Sequence, residues 1–249
     1  MIPDFGFYNM DCMEGMKQFP DNYFDLAIVD PPYGDRGHME TTRQEQVRRN
    51  VRPLSTICTQ ANAREREREK VARTGGTWAS KFGKKIISWD VAPKQEYFDE
   101  LFRISRNQII WGGNYFYLPP TRCFLVWKKH IPENFSMAMC EYAWTSFNAN
   151  AKVFEYPSID NSGMRFHPTQ KPIELYEWIL NHYAHEGDKI LDTHVGSASS
   201  LIACQRLGFR FVGYEIDGDY YKLAKERYER ETAQITLFNL NHREEINHE

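Results

Sequence analysis

Asp30-Pro31-Pro32-Tyr33 follows directly on the apolar run Phe24 to Val29, which reads as a buried strand. Two adjacent prolines fix a rigid, extended turn, with an acid before it and an aromatic ring after it. Those are the parts needed to hold a planar heterocycle bearing an exocyclic amine. The Asp30 carboxylate would accept one N–H, the Pro31 carbonyl the other, and the ring would stack on Tyr33. A second constellation lies towards the other end of the chain. Residues 190–200 read as a strand running into a small-residue loop, Gly196-Ser197-Ala198, at a helix start, where free backbone N–H groups can face a ligand. Glu215, 23 residues beyond Asp192, closes the next strand and is placed to accept hydrogen bonds from both ribose hydroxyls of a nucleotide-like cofactor. A dinucleotide oxidoreductase has such a loop in common, but nothing in that chemistry explains Asp30 to Tyr33.

The elements that must position these residues form α/β units at both ends of the chain. Residues 5–10 predict a short strand, 14–18 a short helix and 24–29 a buried strand. Further on, 96–105 has apolar residues at helical spacing, 108–111 reads as a buried strand, and 123–127 and 142–147 alternate like paired strands. Residues 173–183 predict a helix opened by Pro172, a favoured first-turn residue. Strand 189–191, helix 199–207, strand 210–214 and helix 220–230 follow, and connections this short imply right-handed crossovers and a parallel sheet.

The 249 residues, 41% of them hydrophobic, supply a core for one domain and exclude disordered, collagen-like and disulfide-scaffold chains. The net charge of -3 hides an asymmetry: Asp35 to Lys85 carries 13 basic and 6 acidic residues, a charge of +7, and the remainder 18 basic and 28 acidic, a charge of -10. An acidic body with a basic insertion suggests a polyanion met at one place, although Arg64 to Lys70 also reads as a solvated helix of alternating sign. The five cysteines are scattered without a Cys-x-x-Cys pair, and His182 and His185 have no third ligand near them in sequence, so no metal is expected. With no leader pattern and no long apolar run, the expected location is the cytoplasm, without a membrane.

Asp30 to Tyr33 in this setting resembles motif IV of the DNA amino-methyltransferases, which methylate adenine N6 or cytosine N4 from S-adenosylmethionine. His167-Pro168-Thr169-Gln170-Lys171-Pro172 resembles motif X of the β-class members, and Asp192 to Ser200 resembles their motif I. Residues 8–12, 110–116 and 141–145 also resemble that family, including its phage and prophage members, whereas the basic segment does not. The resemblance implies an α/β, Rossmann-like methyltransferase fold with circularly permuted motif order and a mixed, mostly parallel sheet flanked by helices. Because motif IV precedes motif I, strands from opposite ends of the chain must lie side by side, as one domain over 1–249 with insertion 35–85 and tail 231–249.

Residue by residue, the resemblance implies that Asp30, Pro31, Pro32 and Tyr33 are catalytic. It implies that Asp11, Cys12, Asp30, His167, Thr169, Lys171, Asp192, His194, Gly196, Ser197, Ala198, Glu215 and Ile216 surround S-adenosylmethionine, with Lys171 suited to the cofactor's carboxylate. Thr193, His194 and Ala198 depart from the family's usual Pro, Phe and Gly. The expected activity is methylation of adenine N6 in double-stranded DNA, in a restriction-modification setting and on a flipped-out base. Alternatives are N4-cytosine methylation, where Ser rather than Asp is usual before Pro-Pro, amide methylation of protein or RNA, where Asn is usual, and a DNA-binding module that has lost catalysis. A dimer is consistent with the β class. In the tail, residues 234–238 (Gln-Ile-Thr-Leu-Phe) resemble a sliding-clamp docking peptide, or read as an amphipathic end strand.

With only about 18 residues between Phe147 and Arg165, there is little room for a separate recognition domain, so residues 35–85 are expected to supply DNA contact, Arg48, Arg49, Arg52 and Arg73 among them. Deleting residues 40–75 should weaken DNA binding and flatten its salt dependence in a titration at two ionic strengths. Unchanged binding refutes the assignment.

Overall fold

Strands from the two ends of the chain pair side by side in one sheet. The computed structural model describes residues 3–34, 91–133, 138–158 and 166–246, with side chains as far as residue 233. In chain order the elements are β1 (Gly6–Asn9), α1 (Cys12–Met16), β2 (Phe24–Val29), α2 (Gln95–Ile104), β3 (Ser105–Trp111), a 3-10 turn (Gly113–Tyr115), β4 (Phe124–Lys128), β5 (Cys140–Thr145) and β6 (Lys152–Glu155). Then come α3 (Ile173–Tyr183), β7 (Lys189–Asp192), α4 (Ser199–Arg206), β8 (Arg210–Glu215) and α5 (Gly218–Ile246). The sheet runs β1-β8-β7-β2-β3-β5-β4-β6, and β5 is antiparallel to both its neighbours while every other pairing is parallel.

The chain divides into two units, Met1–Pro31 with Lys94–Glu249, and Pro32–Pro93. In the second, the described residues are 32–34 and 91–93, and a Cβ on Gly34 would meet that of Ala92 at 3.1 Å. The sheet and all of these elements belong to the first. Leu26, Ile28, Ile109 and Phe211 turn one way, towards α3 and α4; Ala27, Val29, Ile110 and Val212 turn the other, towards α1 and α2.

Several boundaries differ from the sequence expectation, each for a local reason. Helix α1 starts at Cys12 rather than residue 14, because the Asp11 side chain caps it by accepting the Met13 N–H at 2.8 Å. Strand β3 starts at Ser105 rather than 108; Arg106 and Asn107 hide it, and Gln108 Nε2 donates back to the Ser105 carbonyl at 2.6 Å. Pro172 sits just before α3, at its cap, instead of in its first turn. Strand β6 was not foreseen, since an edge strand with exposed or half-buried side chains has no apolar alternation to read. Helix α5 continues through residues 231–246 instead of ending at 230, as no Gly or Pro follows Gly218 to stop it. The end-strand reading of 234–238 is therefore replaced by helix.

Ala198 stands at the cap of α4 with φ +64° and ψ 17°, a left-handed conformation that costs a residue with a Cβ about 1–2 kcal/mol. Ala198→Gly should relieve that strain, and after subtracting the entropy glycine adds to the unfolded chain, raise stability by about 1 kcal/mol in urea denaturation. An unchanged or lowered midpoint contradicts this account.

Candidate active site

The carboxyl ends of four neighbouring parallel strands, β1, β8, β7 and β2, each deliver one acid. Asp11 follows β1, Glu215 ends β8, Asp192 ends β7 and Asp30 follows β2. The order is set by the register, in which Asn9 lies opposite Glu215, Gly213 opposite Asp192, and Leu191 opposite Ala27. Ligands of open α/β sheets bind at this edge, where loops diverge from a switch in strand order.

Asp30 lies at the β2 end of this row. Lys171, from the loop before α3, donates its ammonium to Asp30 Oδ2 and reaches Glu141 Oε2 at 3.1 Å; Glu141 Oε1 pairs with Lys129. The Lys171 ammonium also lies 5.3 Å from the centroid of the Trp111 ring, within cation–π range. Alternating charges, Lys129, Glu141, Lys171 and Asp30, thus sum to zero in a largely covered place. Burial pulls the Lys171 ammonium down, but Asp30 and Glu141 outweigh it and hold it above its ordinary value. Burial pushes the Glu141 carboxyl up, and the attraction of Lys171 and Lys129 wins, holding it at about 2.

The next two acids are satisfied by hydroxyl and backbone donors instead. Asp192 is 3% exposed; its Oδ2 accepts the Ser200 hydroxyl and its Oδ1 the His194 N–H at 3.0 Å. Burial nevertheless pushes its carboxyl up to about 7, with Asp30 and Glu215 adding repulsion. Glu215 accepts the Gly196 N–H on Oε2 and the Asp217 N–H on Oε1, both at 2.9 Å, while burial pushes its carboxyl up. Gly196 has φ +56°, and a Cβ there would meet the His167 ring at 3.1 Å, so the backbone comes close to His167 only because the side chain is absent. Thr169 donates its N–H to His167 Nδ1 at 3.4 Å. Ser197 and Ala198 are buried, and Arg227 from α5 donates to the Ser197 carbonyl and to Ser199 Oγ, both at 2.8 Å. Ser199 Oγ in turn donates to the Lys171 carbonyl at 2.7 Å, tying the loop after β7 to the segment before α3.

Of the residues singled out in the sequence, Asp30, Lys171, His167, Thr169, Asp192, His194, Gly196, Ser197, Ala198 and Glu215 are tied together by these bonds and by the loop they share. Asp11 and the half-buried Cys12 open α1 beside them, and Ile216 is 63% exposed just past β8. Pro31 is buried, whereas Pro32 and Tyr33 belong to the second unit and are half-buried. Arg48, Arg49, Arg52 and Arg73 lie outside the described residues. Three further members carried no role in the sequence reading: Glu141, Lys129 and Tyr97. Glu141 had a signal, a carboxylate near the start of an otherwise apolar strand; Lys129 had none. Tyr97 reads only as the apolar face of a helix, yet its hydroxyl meets Thr193 Oγ1 at 2.6 Å.

Set beside known proteins, residues 59–226 match the family model described as DNA methylase, of N6/N4 methyltransferases, and the chain belongs to that family. It is 27% identical over 237 residues to the type II methyltransferase M.HpaI of Haemophilus parainfluenzae, covering 89% of this chain and 73% of that one. A stretch of 65 residues is 46% identical to M2.DpnII of Streptococcus pneumoniae, 26% of this chain and 24% of that one. Among solved structures, the cytosine-N4-specific PvuII DNA methyltransferase superposes with a TM-score of 0.56 at 11% identity, covering 94% of this chain and 92% of that one, which shows a shared fold. The expected methyltransferase fold, mixed and mostly parallel, is the one observed.

The Glu141 carboxyl, held at about 2 against an ordinary 4.5, stabilises the folded chain fully above pH 4.5 and progressively less as pH falls towards 2. Glu141→Gln should therefore cost about 3 kcal/mol at pH 7 in urea denaturation, with the difference from wild type shrinking between pH 5 and pH 2. A difference that stays constant over that range removes Glu141 from the charge row.

Proposed function

We propose that this chain is an adenine-N6 DNA methyltransferase that uses S-adenosylmethionine and acts on a base flipped out of the duplex. The observation that carries the reading is the placement of Asp30, at the end of β2, directly beside the loop after β7. One strand end is suited to an amino group and its neighbour to a nucleoside cofactor. The residues fit that cofactor by their chemistry. Glu215 and Asp11 are carboxylates for hydroxyl and amine donors, and Gly196 lets backbone approach where a Cβ would meet His167. His167, Thr169, Asp192, Ser197 and Ala198 complete its surroundings. When bound, S-adenosylmethionine supplies an electrophilic sulfonium methyl.

The lone pair of adenine N6 is delocalised into the ring, so the chain's task is to make it available. The Asp30 carboxylate and the Pro31 carbonyl accept the two amino hydrogens and favour a pyramidal nitrogen. Resemblance to motif IV assigns Tyr33 the stacking role. Lys171, bonded to Asp30 and Glu141, orients the Asp30 carboxylate, a different task from the cofactor-carboxylate role the motif alone suggests. Asp30 and Pro31 would hold the amino nitrogen in line while it takes up the methyl and sheds one of its protons. Alignment supplies much of the acceleration. Unstacking the base costs roughly a few kcal/mol, which phosphate contacts from residues 35–85 offset.

Asp before Pro-Pro supports adenine over cytosine. Expression in a methylation-deficient host, followed by single-molecule sequencing of its DNA, should reveal N6-methyladenine at one sequence context, lost in a folded Asp30→Ala variant. N4-methylcytosine would transfer the assignment to the cytosine branch of the family, and unmodified DNA from the wild type would refute the activity.

A further inference from the structure

Two of the departures from motif I, Thr193 and His194, are hydrogen-bonded to each other, and a third residue, Tyr97, joins them. The Thr193 hydroxyl lies 2.6 Å from the Tyr97 hydroxyl of α2 and 2.9 Å from His194 Nδ1. The Tyr97 and His194 rings meet edge to face, 5.4 Å apart and inclined by 69°. Tyr97 and Thr193 are 4% and 2% exposed, while His194 is only partly covered. A proline at 193 has no hydroxyl to bridge Tyr97 and a ring nitrogen, and a phenylalanine at 194 has no nitrogen to receive one, so the two replacements work only together.

The direction of the protons follows from which hydroxyl would otherwise be stranded. If Tyr97 donates to Thr193 and Thr193 to Nδ1, both hydroxyl hydrogens are used and the imidazole carries its proton on Nε2. In the reverse direction Nδ1–H donates to Thr193 and Thr193 to Tyr97, and the buried phenol hydrogen has no other acceptor among the described residues. That orientation bears the full desolvation cost of an unmade hydrogen bond. Burial holds the imidazole down at about 4, so it is neutral at pH 7 and has a tautomer to be chosen.

We propose that Tyr97, Thr193 and His194 form a relay that fixes His194 as an Nε2–H donor to a neutral acceptor on the nucleoside end of the cofactor. The inference rests on the S-adenosylmethionine reading and assigns a specificity-determining hydrogen bond where the family usually has an apolar ring. The nucleoside end is favoured over the amino-acid end because Tyr97 packs in the same cluster as Met16 of α1, the helix that Asp11 caps, and a carboxylate on that side repels a ligand carboxylate. Cys12, next to Asp11 at the start of α1, packs against that cluster as well. Both place the Tyr97 end of the relay on the side of the sheet that α1 covers.

Two measurements on the full-length chain test it. Long-range proton–nitrogen NMR of the 15N-labelled protein, without cofactor, should show His194 protonated on Nε2 in the wild type and a mixed tautomer in Thr193→Val. Calorimetry with S-adenosylhomocysteine and with methylthioadenosine, which lacks the amino-acid end, should show Thr193→Val weakening both by about fivefold to tenfold, the worth of one hydrogen bond. Tyr97→Phe should weaken them about twofold, and Thr193→Ser should bind like wild type. A wild-type proton on Nδ1, or Thr193→Val binding both compounds as wild type does, overturns the relay. Weakening of S-adenosylhomocysteine alone overturns the nucleoside assignment. A wild type that binds neither compound overturns the donor role through the cofactor reading, while the tautomer still reports on the relay by itself. If Thr193→Val does not fold, the wild-type tautomer and the Tyr97→Phe titration decide.

Discussion

Strands β2 and β7 come from opposite ends of the chain, and their parallel pairing, Leu26 opposite Ile190 and Ala27 opposite Leu191, is the constraint on which the site depends. Without it Asp30 and Asp192 have no reason to meet; with it the carboxyl ends of β1, β8, β7 and β2 line up, and each strand adds one acid to the row. The pairing is short, so it is held largely by what both strands bury. Leu26 and Ile190 face the layer of α3 and α4, while Ala27 and Leu191 face that of α1 and α2. Covering on both faces is the usual condition for parallel strands, and it explains why β2 reads as a nearly continuous apolar run rather than an alternating one.

Gathering acids at one edge creates an electrostatic problem that the structure solves in two ways. At the β2 end a cation is brought in: Lys171 lies between Asp30 and Glu141, and attraction outweighs desolvation for both Lys171 and Glu141. At the β7 and β8 ends the donors are Ser200, the His194 N–H and the amides of Gly196 and Asp217, and there desolvation wins: the Asp192 carboxyl rises to about 7. Neutral dipoles lower a buried carboxyl less than a buried ammonium does. The balance is therefore graded: beside β2 the attraction of two lysines holds the Glu141 carboxyl low, and at the end of β7, where there is no counter-ion among the bonded partners, desolvation raises that of Asp192.

Much of the sheet and of its flanking helices was legible from apolar pattern and turn residues: strand 24–29 and helix 173–183 appear as read, and strands 189–192 and 210–215 and helix 199–206 differ by a residue at an end. The site's acids and glycine were legible through motif spacing. What was not legible has common causes. Strand β6 and the start of β3 carry polar side chains at an edge or a helix junction, where burial leaves no pattern. Glu141 and Lys129 matter only through partners brought near by β5 and β4, and Tyr97 looks like core until its hydroxyl is found against Thr193. Long-range pairing created each of these roles, and sequence spacing does not encode it.

The loop after β7 shows how a departure from a motif can be tolerated without being neutral. Ala198 keeps a left-handed conformation because the chain on both sides determines it. Val195 N–H bonds the Tyr214 carbonyl at 3.0 Å, Ala198 N–H the Val195 carbonyl at 3.1 Å, and Ile202 N–H the Ala198 carbonyl at 3.0 Å, while Arg227 holds Ser197. Strain of about 1–2 kcal/mol persists where the surroundings leave the backbone no alternative. The same rigidity makes the exchange of an apolar wall for Thr193 and His194 workable, since a relay of 2.6 and 2.9 Å bonds needs partners that do not move apart. A strained, over-determined loop is thus the condition under which a polar relay can stand where the family has a simple ring, and the two departures belong to one solution.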